Sequence, residues 1–184
     1  MRRTVLVLTA LLGLLLAAPA GATSVVELEL PAHVAESTAV VEATVGTPYV
    51  TINDVNGHPM THTPLTITAV LAGTAPAKIA VTQHKGTVDG RTLSMSGDGT
   101  LEPGSRVVVF VVQAEGRWWL TALAQSVWTV DGTGASATAT RDLGGLVFFE
   151  RDPETGAIVP AHEPLANRTT LGALRAAVTA AKGN

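Results

Sequence analysis

The chain has 184 residues, with 12 Lys or Arg against 15 Asp or Glu, a formal charge of −3, and no cysteine. That composition excludes disulfides, thiol nucleophiles, thiolate metal sites and a lipid-attachment cysteine, so stability has to come from packing. The acidic balance repels phosphate backbones and speaks against nucleic-acid binding.

Arg2 and Arg3, then the apolar run Val5 to Ala18, then Ala20-Gly21-Ala22 form a basic, an apolar and a small-residue region, the pattern of an export signal over residues 1–22. The apolar run has 14 residues, short of the roughly 20 a membrane span needs, and no later stretch approaches that length. Cleavage after Ala22 removes two arginines and no acid, leaving ten basic against fifteen acidic residues, a formal charge of −5. The mature chain is expected to carry no stable membrane span and to be secreted or periplasmic.

Ser24 to Leu30 alternates as a short strand, and Pro31 suits the first turn of a brief helix that follows. Strand patterns return at Thr38 to Val45, Tyr49 to Ile52 and Thr61 to Leu71, the last two joined around the hairpin dipeptide Asn56-Gly57. Pro64 cannot donate to a ladder, which places the start of its strand at an edge or bulge. Lys78 to Gln83 reads as another strand, and Asp89-Gly90, Asp98-Gly99, Asp131-Gly132 and Asp152 to Gly156 are spaced as turns of successive hairpins.

Between Gly104 and Val130 lie the longest β-branched run and all three tryptophans. Val107 to Val112 is apolar on both alternating faces, which predicts a strand covered on both sides. Gln113 to Gly116 turns it into a second strand carrying Trp118 and Trp119, and Ser126, Trp128 and Val130 continue as a third. Tryptophans beside such a run are read as core, the alternative being an exposed stacking platform for a ligand or nucleic acid. Thr133 to Thr140 is small and polar enough for a thin edge hairpin, and Leu146 to Phe149 follows as a strand. Thr169 or Thr170 caps a final helix in which Leu171, Leu174 and Val178 share a face.

Ala39-Val40-Val41-Glu42-Ala43-Thr44-Val45, Val70-Leu71-Ala72-Gly73, Gly86-Thr87-Val88-Asp89-Gly90, Met95, Gly97, Leu101-Glu102-Pro103-Gly104, Val107-Val108-Val109-Phe110, Trp119 to Gln125 and Arg141-Asp142-Leu143-Gly144-Gly145 resemble a family of exported bacterial proteins of uncharacterised function. The resemblance covers most of the mature chain. It implies an OB-like β-barrel and export, and it carries over no catalytic residue. The expected fold is all-β, a small antiparallel barrel (OB-like) or a sandwich with a short C-terminal α-helix: residues 23–165 form the barrel or sandwich, and residues 166–184 a helix packed on it.

The sharpest chemical motif is His58-Pro59-Met60-Thr61-His62. In extended chain His58, Met60 and His62 point to one side, and imidazole and thioether ligands suit copper; the competing reading is a polar turn and strand start. His162-Glu163 is no zinc-peptidase helix, because Pro164 follows and Asn167 stands where a histidine is needed. Asp152, Glu154 and Gly156 are turn chemistry rather than a calcium loop.

Two functions from different classes follow. The first is an exported, non-enzymatic β domain, needing no cofactor, that binds a protein or an envelope component, since OB-type barrels bind nucleic acids, oligosaccharides or proteins and charge removes the first. The second is a metal-dependent binding protein or hydrolase using copper or zinc, built from His58, His62, His84, Asp89 and Asp142 brought together only in three dimensions.

Overall fold

The computed structural model describes residues 23–53, 55–163 and 165–182; the predicted signal segment 1–22 lies outside them. In chain order the elements are β1 (Thr23–Val26), α1 (Leu30–Glu36), β2 (Ala39–Val45), β3 (Tyr49–Ile52), β4 (Pro59–Gly73), β5 (Lys78–Gln83), β6 (Gly86–Val88), β7 (Arg91–Leu93), β8 (Arg106–Ala114), β9 (Arg117–Leu120), β10 (Val127–Asp131), β11 (Thr138–Thr140), β12 (Leu146–Arg151), β13 (Ile158–Pro160), β14 (Arg168–Thr170) and α2 (Leu171–Lys182). Among the described residues no helix is long and apolar enough to cross a membrane.

Strands β2, β4, β5, β9 and β8 pair in that order and β8 returns to β2, closing a five-stranded barrel. Of the two expected architectures, the barrel is the one formed. Its pairs are antiparallel except β5 with β9. Counted along the chain, the order around the barrel is first, second, third, fifth, fourth, which is the OB arrangement.

The apolar run in β8 explains why the barrel has both an inside and a covered outside. Val107, Val109 and Val111 point inward beside Val41, Leu65, Val81 and Trp118. Val108 and Phe110 point outward, under α1 and α2, with Val34, Trp128, Leu171, Leu174 and Val178. Each such fully buried side chain contributes about 1.5–3 kcal/mol. The tryptophans expected to share one core therefore separate: Trp118 lies in the barrel, Trp128 in the layer beneath the helices, and Trp119 is half-buried on the outside.

Edges are shared by successive strands. β9 pairs with Val111 to Ala114 of β8 and β10 with Arg106 to Val109, and a 3-10 turn at Leu123–Ser126 carries the chain between them. The alternation read straight through from Trp118 to Val130 is broken there. On β4 the partner changes from β3, at residues 59–62, to β2, at residues 65–73. Pro64 sits in that gap, inside a long strand rather than at its start. Its carbonyl accepts the Gly46 N–H at 2.7 Å, so its missing donor faces the gap and not β5. At the far end of β4, Gly73 has φ 68°, and a Cβ there would lie 2.0 Å from the Thr38 carbonyl oxygen; no side chain fits.

Outside the barrel, β10, β11 and β14 extend the sheet, so β11 is flanked on both sides and is not the expected edge. β1 ends at Val26 and pairs in parallel with β12, in a separate small sheet completed by β13. Pro31 lies in the first turn of α1. The predicted stripe of α2, Leu171, Leu174 and Val178, is buried. Thr170 Oγ1 accepts the Ala173 N–H at 3.2 Å and caps that helix. Thr170→Ala is expected to lower stability by about 1 kcal/mol, read as a lower urea midpoint with an unchanged slope; an unchanged midpoint rejects the cap.

Candidate functional site

Strand register assembles a row of side chains that no local motif announces. Tyr49 on β3 lies opposite His62 on β4, His62 opposite Thr82 on β5, and Thr82 opposite Trp119 on β9. Val81 and Trp118 point into the barrel, so alternation turns Thr82 and Trp119 outward. At one end the Tyr49 ring stacks on His62 at 5.1 Å, and at the other His84 stacks on Trp119 at 5.0 Å. Two strand spacings, about 10 Å, separate the pairs. Tyr49 is 52% exposed.

The row is held rigidly. Thr51 Oγ1 at 2.8 Å and Thr82 Oγ1 at 3.2 Å engage the two ring nitrogens of His62. Burial, and secondarily the charge of Arg117, pushes the His62 pKa down, so the ring is neutral at pH 7, with one nitrogen donating and the other accepting. The Trp119 indole N–H donates to the Ala114 carbonyl at 3.3 Å.

The predicted copper ligands occupy three different environments. His58 is exposed in the turn before β4, where its N–H donates to Asn56 Oδ1 at 3.0 Å. The Met60 side chain is 1% exposed. His62 already spends both nitrogens on threonine hydroxyls, so a metal there has to displace one of them. Of the other histidines and acids considered for a hydrolase, His84 belongs to the Trp119 stack, Asp89 holds the β6–β7 turn with φ 51°, and Asp142 accepts the Gly144 N–H at 2.9 Å. Asp152 is a turn acceptor for the N–H groups of Glu154 and Thr155, at 2.9 and 2.8 Å.

A second locus lies between α1, α2 and the extended segment after β1: a cleft of about 470 Å³. Its walls are apolar, from Leu30, Pro31, Leu165 and Leu174, and its charged groups are Glu27, Glu29 and Arg141. The Arg141 guanidinium lies 4.5 Å over the Trp128 ring and donates to the carbonyls of Ala166 at 2.9 Å and Gln125 at 3.4 Å. Burial brings its pKa down to about 10, against the opposing influence of Glu27. Beside it, His33 stacks on Phe110 at 4.1 Å and its Nε2 meets Ser126 Oγ at 3.0 Å. That serine also accepts the Ala122 N–H at 2.6 Å and is 0% exposed. The pair pins α1 to the barrel and offers no hydroxyl to a substrate. Neither Arg141 nor His33 stands out in the sequence: Arg141 sits beside Asp142 in a segment with no chemical motif, and the separation of 93 positions from His33 to Ser126 carries no spacing signal.

No protein-family model, curated protein or solved structure matches the chain.

Proposed function

We propose that the chain is an exported, non-enzymatic β domain that binds an envelope component, a glycan, along the outer row Tyr49, His62, Thr82, Trp119 and His84. The observation that carries this reading is the register: two stacked aromatic pairs about 10 Å apart on one rigid face of an OB-type barrel. Aromatic faces receive the C–H faces of sugars, and the exposed Thr51 and Arg117 supply hydroxyl and guanidinium partners for sugar oxygens, while the buried Thr82 only braces His62. Because the partners along the row are already hydrogen-bonded or stacked, little ordering remains to be done on binding. OB barrels take oligosaccharides as well as nucleic acids, and the acidic net charge disfavours the latter.

All three tryptophans emit, but Trp118 and Trp128 are buried, so a ligand-induced change in emission reports chiefly on Trp119. Titration with tetra-N-acetylchitotetraose is expected to give a saturable fluorescence change, and calorimetry, which does not need that reporter, should show binding weakened about tenfold in Trp119→Ala. If the glycan has no effect while a cross-linked protein partner is lost in Trp119→Ala, the row binds protein instead. If Trp119→Ala alters neither, the row is not the site.

A further inference from the structure

The cleft beneath the helices carries a charge pattern that the aromatic row does not explain. Glu27 and Arg141 line the same cavity and each acts on the charge of the other, yet among the described residues they form no ion pair. Their separation is built in. Gln125, 1% exposed, accepts the Leu28 N–H on its Oε1 at 3.0 Å and donates from Nε2 to the Val26 carbonyl at 3.3 Å, fixing the segment that carries Glu27. The carbonyl of that same Gln125 takes one Arg141 N–H, and the Ala166 carbonyl and the Trp128 ring fix the rest of the guanidinium. Opposite charges are thus held apart across a space with apolar walls.

Among the described residues neither charge has an opposite charge in contact, and each is offset by the other only at a distance. Arg141 has backbone carbonyls and an aromatic face for partners and, among the described residues, no carboxylate in contact. Glu27 is pushed up by burial first and then by Glu150, against the lowering influence of Arg141, with Glu29 adding a smaller upward push. A guanidinium with N–H groups to spare suits a carboxylate. A crowded group of carboxylates suits an ammonium.

We propose that this cleft binds a zwitterionic short peptide, its carboxylate on Arg141, its ammonium at Glu27 and Glu29, and an apolar side chain against Leu30, Leu165 and Leu174. The volume of about 470 Å³ is in the range of pockets for ligands the size of a di- or tripeptide. This inference is independent of the glycan row and survives its failure.

The test is calorimetric titration of the purified full chain with the tripeptide Leu-Ala-Leu, and with the same peptide acetylated at its N-terminus, amidated at its C-terminus, or both. The free peptide is expected to bind once per chain. Blocking either end is expected to weaken binding by about tenfold or more, the loss of one charge-assisted contact. Arg141→Gln and Glu27→Gln should each do the same, with Arg141→Lys losing less than Arg141→Gln. Arg141 also braces two loops, so Glu27→Gln and the blocked peptides keep the test decisive if Arg141→Gln fails to fold. A doubly blocked peptide that binds as tightly as the free one overturns the zwitterion, as does the absence of saturable binding by the free peptide.

Discussion

Arg175→Ala is expected to destabilise the protein by about 2 kcal/mol, the cost of leaving the buried Glu42 carboxylate without its charged partner, discounted because Arg175 itself is 41% exposed. Glu42 stands on the outer face of β2, beside Val40 and opposite Val108, in the layer that α2 covers. Its side chain is only 8% exposed. Arg175 reaches back from α2 with two parallel hydrogen bonds, Nε to Oε1 at 2.5 Å and Nη2 to Oε2 at 2.7 Å. The contact raises the Arg175 pKa, the hydrogen bond to Glu42 being the largest cause. Removing the arginine leaves a carboxylate under a helix with no partner, whereas removing both charges leaves nothing to desolvate. Urea unfolding should therefore show a large loss for Arg175→Ala and recovery of most of it in the double variant Glu42→Met with Arg175→Met. If Arg175→Met alone, which keeps most of the apolar stem, is as stable as the parent protein, the clamp acts through packing of the arginine stem and not through its charge.

Much of the barrel can be read from local pattern. Val107 to Val112 is apolar at every position because β8 separates two buried layers, and the run shows this before any partner is known. The Asn56-Gly57 turn, Pro31 in the first turn of α1, and the stripe Leu171, Leu174 and Val178 are legible for the same reason: each reflects a local backbone preference or a period of two or 3.6. A period, however, names the face of a residue and not its partner. Trp118, Trp119 and Trp128 look like one cluster in the sequence, yet the alternation of β9 separates the first two and the 3-10 turn reassigns the third.

The sites were harder to read because they depend on pairing between strands distant in the chain. The Tyr49–His62 stack belongs to a hairpin and was within reach: a two-residue turn at Asn56-Gly57 pairs Thr51 with His62, and the longer loop moves the register by two places, which preserves the face. The other end of the row requires β5 and β9 to meet in parallel, which follows only from closing the barrel. Arg141, Glu42 and His33 each read as ordinary polar residues in their own segments. Their partners lie 16, 133 and 93 positions away, beyond any local pattern.

Acid is expected to weaken the fold through His33. The ring is 1% exposed, stacked on Phe110 and bonded to Ser126. Burial, and then the charge of Arg141, lowers its pKa from 6.5 to about 4. A histidine held below its unfolded value takes up its proton more readily in the unfolded chain. Stability from this group is therefore complete above about pH 6.5, declines as the pH falls, and levels off near the folded value of about 4. The difference corresponds to about 3 kcal/mol across that window. His33→Gln keeps a polar group for Ser126 and removes the titration. It should start less stable, having lost the ring stack, and show a flatter profile. Urea unfolding of both proteins from pH 7.5 to 4 measures the difference directly, and carboxylates common to both cancel. Equal slopes for the two proteins would mean that His33 accepts its proton as easily folded as unfolded, and that α1 opens to water far more readily than its packing on Phe110 implies.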